Sequence, residues 1–283
     1  MTGLTNYSAF NVLNYLTGQK AMPALPAIYL ALFTAVGTDV GTGFTEVSGG
    51  AYARVQVAGT LVTNAATSTA SPTINAASVP SWIVAGMAVY DVTTGSAVGT
   101  VQSTGASTIT LSANAASAVA SGDTLSISAF PNATGTSPAT VSNGATIAFP
   151  TAAADWGIAM AWGLYDASGA GNLLFWDYMG NFAWLPATVS AASPGVFTAK
   201  AHSYANGNSI VYSTEYGGAA PSFSAGNYTG LQTVAGAGAD TFSVAGVNTS
   251  STGSGAVRRV SAQSIPNGVT ASFNPSTFTL SMA

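Results

Sequence analysis

The sequence predicts a mainly β protein: a β-sandwich-like base with one short N-terminal helix and two inserted β-rich modules. Three observations carry this prediction. Over residues 158–165, Ile158, Met160, Trp162 and Leu164 alternate with Ala159, Ala161, Gly163 and Tyr165 at a period of two. Turn signals such as Ser48-Gly49-Gly50 and Ser168-Gly169-Ala170-Gly171 separate short apolar runs. One segment alone, at the start, has helical spacing.

In that segment Thr5 or Asn6 can act as the cap, Ala9, Val12, Leu13 and Leu16 form a stripe, and Gly18 is the stop. The stripe is expected to pack inward. After Pro23 and Pro26, Ile28-Tyr29-Leu30-Ala31-Leu32-Phe33-Thr34 is apolar on both faces, as a central strand requires. Residues 44–47 and 52–57 flank Ser48-Gly49-Gly50 and read as a hairpin, with Ala53, Val55 and Val57 on one face. Residues 63–70 and 132–140 have linker composition. Between them, β-like runs at 87–92, 97–102, 108–112 and 124–128 predict a small module with Trp82 and Ile83 in its core. Residues 158–165 and 172–178 form a second hairpin, with Trp156 and Trp162 as core. A Gly/Ser/Ala-rich region runs from about 179 to 262. Residues 269–273 and 277–282 flank Asn274-Pro275-Ser276 and read as a closing hairpin. No strict internal repeat is visible.

Of 283 residues only 14 are charged, against roughly 25 % in an ordinary soluble domain. Small residues fill the deficit, with 53 Ala and 32 Gly. A net charge of −4 removes the electrostatic basis for nucleic-acid binding. Without cysteine there are no disulfides or thiolate sites, and a single histidine rules out histidine metal clusters. Mean hydropathy is +0.38, yet the longest apolar stretch, residues 25–36, is shorter than the roughly 20 residues of a spanning helix. No membrane insertion is expected. The first residues lack a basic stretch, so no secretory leader is expected either. So few charges imply a surface that touches other protein subunits.

Several stretches resemble a family of tailed-bacteriophage virion proteins, often labelled tail fibre or tail proteins. They are Tyr29-Leu30-Ala31-Leu32-Phe33-Thr34, Glu46-Val47-Ser48-Gly49-Gly50-Ala51-Tyr52-Ala53-Arg54, Phe149-Pro150-Thr151-Ala152 with Ala154-Asp155-Trp156-Gly157, Trp162-Gly163-Leu164-Tyr165-Asp166-Ala167, and Gly171-Asn172-Leu173-Leu174-Phe175-Trp176. Residues 267–273 and 278–280 are similar more weakly. The resemblance covers 1–58, 141–178 and 262–283, read as one base. Residues 59–140 and 179–261 interrupt it as two inserted modules. It implies a virion structural protein, a surface-exposed decoration or fibre-like component on capsid or tail. The partners it implies are other virion proteins and further copies of itself, a trimer by analogy.

Candidate chemistry is sparse. A Ser-His-Asp triad would have to use His202, which has no nucleophile-elbow sequence beside it. Asp155, Asp166 and Asp177 are the candidates for a carboxylate pair cleaving polysaccharide, but each also fits a turn or strand end. Residues 166–172 offer one carboxylate where calcium loops use several. Arg258-Arg259, the one basic pair, fits an ion pair or subunit contact better than a phosphate site. No cofactor is expected. Trp176, Tyr178, Phe182 and Trp184, with Tyr204, Tyr212 and Tyr216 further on, have two readings. They are buried core or interface, or they form a platform that stacks on the sugar rings of a host-surface glycan. Three functions follow, in order: a non-enzymatic virion structural protein, a tail-associated glycan-binding module, and a polysaccharide-cleaving enzyme.

Overall fold

In the computed structural model, which describes residues 3–21, 27–135, 139–215 and 217–282, Thr5 caps the helix α1 (Asn6–Leu16). Its Oγ1 accepts from Ser8 N at 3.5 Å and donates to Leu173 O, pinning the first turn to the sheet. Gly18, at φ 71°, ends the helix as expected. The inward stripe is corrected: Leu13 and Leu16 are 57 % and 71 % exposed, and Phe10 is 63 % exposed. The helix follows the edge strand Gly3–Leu4, so its Ser8 side meets the sheet and no described residue buries Phe10, Leu13 or Leu16 on the other.

Strand β1 (Ile28–Ala35) is central, with Leu30, Ala31, Leu32 and Phe33 fully buried, as its two-sided apolarity predicts. Next comes β2 (Val55–Val62), which pairs with β1 through Leu30↔Val55. The short strand Thr45–Glu46 pairs with the same edge of β1 through Phe33↔Glu46, so the predicted hairpin of 44–47 with 52–57 is not formed. The reason is Trp156. Its Nε1 donates to Gly50 O at 3.0 Å, and a Cβ on Gly49 (φ 146°) would lie 2.8 Å from its ring. The Gly49–Tyr52 turn, closed by Tyr52 N donating to Gly49 O at 3.2 Å, packs on the indole rather than joining two paired strands.

From β2 the chain builds a ring with β3 (Thr73–Asn75), β4 (Ala88–Asp91), β5 (Ser96–Thr104), β6 (Thr108–Leu111) and β7 (Thr124–Ser128). The order is β2-β7-β4-β5-β6-β3, all antiparallel, and the bridge Thr63↔Ala76 brings β3 back to the end of β2. Ile74, Val89, Val98, Ile109, Leu125 and Ile127 fill it, Ile83 is buried beside them, and Trp82 is half-buried. The linker expectation for 63–70 fails. Thr63 and Thr67 are buried, and Thr67 exchanges backbone hydrogen bonds with Val119 at 2.8 and 2.9 Å. Threonine can line a small barrel because its hydroxyl finds a carbonyl locally, as Thr67 Oγ1 does at Thr73 O. In the other linker-like stretch Thr134 bridges Thr140, and 136–138 lie outside the described residues.

The predicted second hairpin forms between β8 (Ala161–Tyr165) and β9 (Leu173–Tyr178), with β8 against β1. Trp156 and Trp162 are buried as expected. The closing hairpin is corrected. Thr270–Phe273 pairs with Ile147–Thr151, and Thr279–Met282 with Ala139–Ser142. Asn143 decides this, because its buried amide captures the backbone of the intervening turn: Nδ2 donates to Asn274 O at 2.9 Å and Oδ1 accepts from Phe278 N at 2.9 Å.

Residues beyond β9 form a closed barrel of β10 (Leu185–Val189), β11 (Val196–Thr198), β12 (Ser209–Ser213), β13 (Gln232–Ala235), β14 (Thr241–Val244) and β15 (Gly253–Val260), in the order β10-β11-β14-β13-β12-β15. This is the ring of β2–β7 repeated. In both, the first strand pairs with the second, the second with the fifth, the fifth with the fourth, the fourth with the third, the third with the sixth and the sixth with the first. Register agrees as well. Ile74↔Ile109 in the first ring corresponds to Phe197↔Phe242 in the second. Gly86 N donates to Val101 O at 2.8 Å, as Gly207 N does to Val234 O at 2.9 Å. The turn bond Gly105 N to Thr108 O, 2.8 Å, matches Gly238 N to Thr241 O, 2.7 Å.

Candidate functional site

A cleft of about 700 Å³ lies between the sheet and the second barrel. On the sheet side it is lined by the end of β1 (Thr34 to Gly37), Met160, and Trp176 and Tyr178 of β9. Trp184, just before β10, stands at the junction. The other side is β12 and the segment 214–231 that follows it, including Glu215, Phe223, Asn227, Tyr228 and Thr229.

The two walls are tied by Arg258 of β15 and Asp177 of β9. Arg258 Nη2 donates to Asp177 Oδ2 at 3.0 Å and Nη1 to Oδ1 at 2.5 Å, and Nη2 also reaches Gly180 O at 3.3 Å. The guanidinium lies 5.7 Å from the Tyr178 ring centre and 6.0 Å from that of Trp184. The aromatic chain continues edge-to-face from Trp184 to Tyr178 at 5.9 Å and from Tyr178 to Trp176 at 5.5 Å. Trp176 Nε1 donates to Asp39 Oδ1 at 3.1 Å.

Of the four residues nominated as a glycan platform, the structure brings Trp176, Tyr178 and Trp184 into this cleft. Trp176 and Tyr178 are largely buried and Trp184 half-buried, so only part of each ring is presented to the cleft. Phe182 is elsewhere, in a small depression with His202, Tyr204 and Arg259, its ring under the Arg259 guanidinium at 4.9 Å. Tyr212 lines the cleft, Tyr204 sits in the barrel core, and Tyr216 lies outside the described residues. Sequence reasoning missed Phe223, Asn227, Tyr228 and Thr229. Their signal was Asn227-Tyr228-Thr229, one aromatic among polar residues in a Gly/Ser-rich stretch.

Burial pushes the Tyr228 hydroxyl up to about 12, with neighbouring Tyr212 adding to the rise. Its ring packs on Phe197, Tyr212 and Phe223 at 4.6, 5.6 and 5.1 Å. It therefore serves as the anchor of the 214–231 segment.

The residues nominated for catalysis are engaged in local structure. His202 is buried, its Nδ1 accepting from Tyr204 N at 2.8 Å, which leaves the proton of a neutral ring on Nε2, 3.3 Å from Thr241 O. Asp155 accepts from Gly157 N at 2.8 Å. Asp166 accepts from the backbone and side-chain amides of Asn172, at 2.6 and 2.7 Å, closing the hairpin turn. Asp177 holds Arg258. Among the described residues no group of three or more His, Asp or Glu side chains is placed to hold a metal ion.

The family described as Podophage GP4 fiber I protein gp80 matches residues 3–132 and 129–183. The chain belongs to this podophage fibre family. The match agrees with the resemblance to tail fibre proteins, runs through the ring of β2–β7 and ends two residues before β10. Membership makes the chain a phage fibre protein, a component of the virion that associates with other virion components. No curated protein and no solved structure matches it.

Proposed function

We propose that the chain is a non-enzymatic structural component of the podophage fibre, exposed on the virion exterior. In this reading residues 1–58, 141–178 and 262–283 form the attached base, and 59–140 and 179–261 project from it. The observation that carries it is the engagement of His202, Asp155, Asp166 and Asp177 in hydrogen bonds and an ion pair that hold the fold together. Each of these side chains has a structural partner that accounts for its placement, and among the described residues none of the three carboxylates lines the cleft. Self-association, a trimer in the simplest case, is supported by the apolar side of α1 that no described residue covers. Quantitative mass spectrometry of purified virions tests the proposal. A small fraction of the capsid protein's copy number is expected. Parity with it would indicate a capsid decoration instead, and absence from clean virions would end the structural reading.

A second reading is favoured by the cleft: contact with a host-surface glycan. It rests on Trp176, Tyr178 and Trp184 lining one cleft with the hydroxyl and amide side chains of Ser213, Thr214, Asn227 and Thr229. Retention on host cells, lost in Trp184→Ala while the unfolding temperature is kept, is the expected result. Unchanged retention would remove the cleft from adsorption.

A further inference from the structure

The repeated ring supplies an internal control for what the second barrel needs in order to fold. The main difference between the copies is the connection from the third strand to the fourth. In the first ring it is a tight turn between Asp91 and Ser96, held by Asp91 Oδ1 accepting from Thr93 N at 2.9 Å and by Gly95 N donating to Asp91 O at 2.9 Å. In the second ring it is the whole of 214–231, between Ser213 and Gln232. The first ring closes with a turn at that point, so ring closure does not require the long connection. What 214–231 does contribute is one wall of the cleft.

Resting on the glycan reading above, we propose that 214–231 is a recognition loop carried on a repeated scaffold, and that the cleft it walls takes a neutral saccharide. Shape supports the first part. Residues 223–229 of the loop are rooted rather than loose: Tyr228 is 4 % exposed among the barrel aromatics, Phe223–Ala225 pairs with Asn248–Thr249, and Gln232 Nε2 donates to Thr229 O at 2.6 Å. A loop ordered before binding loses less entropy when a ligand arrives.

Charge supports the second part. Among the described residues lining the cleft there is no lysine, arginine or histidine, and the one ionisable acid is Glu215. The nearby Arg258 is committed to Asp177 behind the Tyr178 and Trp184 rings. Among the described residues that line the cleft, the carboxylate or phosphate of an acidic glycan would find no cation to receive it. Neutral sugar rings need what is present: aromatic edges and faces from Trp184, Tyr212 and Phe223, and hydroxyl and amide groups from Thr34, Asn227 and Thr229.

The test uses the full chain and a variant in which 214–231 is replaced by Val-Thr-Thr-Gly, the turn of the first ring. Both are titrated, with tryptophan fluorescence as the readout, against neutral oligosaccharides (dextran, mannan and galactan fragments) and acidic ones (polygalacturonate and polysialate fragments). Thermal unfolding is recorded in parallel. The full chain is expected to bind at least one neutral oligosaccharide at least tenfold better than any acidic one, and the variant to unfold cooperatively and lose at least tenfold in affinity. If the variant does not fold, Phe223→Ala and Asn227→Ala replace it, each with an expected loss of threefold or more.

Undiminished binding by the folded variant, with loss in Trp184→Ala, would overturn the loop's role while leaving the glycan reading intact. Preference for the acidic oligosaccharides would overturn the neutral class. No binding by the full chain, as when the cleft is filled by a second copy of the chain, would overturn both the glycan reading and this inference.

Discussion

Arg258 and Asp177 are 81 residues apart in sequence and form a two-point ion pair across the junction of sheet and barrel, with the arginine side chain 3 % exposed. Their strands belong to different sheets, so the pair helps set how the cleft walls face each other. Removing one partner leaves a buried charge, whereas removing both leaves an apolar contact. Asp177→Ala is therefore expected to cost about 2–4 kcal/mol, read by urea unfolding. Asp177→Leu combined with Arg258→Met should recover most of that loss. A single-variant cost below about 0.5 kcal/mol, the level of an ordinary surface substitution, would show that the junction does not depend on the pair.

Asn143 holds the end of the chain through one side chain. Asn143→Ala strands the buried Phe278 N–H, whereas the Asn274 carbonyl keeps its bonds from Thr277. A loss of about 1–3 kcal/mol is expected, together with faster amide exchange at Phe278 than in the parent. Unchanged exchange there would contradict the role given to this side chain.

Alkaline pH should weaken the second barrel. The Tyr228 hydroxyl is held up at about 12 against an ordinary 10.0. Between these values the unfolded chain releases the proton and the folded chain keeps it, so stability is constant below pH 10 and falls as pH rises towards 12. Each pH unit costs about 1.4 kcal/mol per such group. Tyr228→Phe should flatten this fall in unfolding experiments between pH 9.5 and 12. The same slope in the variant would assign the effect to the other buried tyrosines.

Leu13→Glu on α1 tests self-association. The side chain is exposed in the single chain, so the unfolding temperature of the isolated chain should barely move. Light scattering coupled to size-exclusion chromatography should report a shift towards the monomer, because a charge placed in an apolar contact must be desolvated. An oligomer of unchanged size would take α1 out of the interface.

The sequence alone was enough for the mainly β class, the buried centre of β1, the β8–β9 hairpin and membership of a phage fibre family. These signals are local: two-sided apolarity over eight residues, period-two alternation, a Gly-rich turn and ordered motifs. Trp156 and Trp162 were legible as core for the same reason. Of the candidate site, Trp176, Tyr178 and Trp184 were legible as aromatics close in sequence, but not the wall opposite them.

Tertiary structure alone decided the rest. The hairpins expected at 44–57 and 269–282 do not form because their strands pair with distant segments, while the distant side chains Trp156 and Asn143 hold the turns between them. The inward helix stripe is exposed because α1 runs past an edge strand. The repeated barrel is invisible in sequence because its strands are as short as three residues and equivalent positions share register, not identity. Ile74 and Ile109 correspond to Phe197 and Phe242, and Leu125 to Val257. Hydrogen-bond register is a property of backbone pairing between strands far apart in the chain, and a small closed ring accepts any side chains that together fill it.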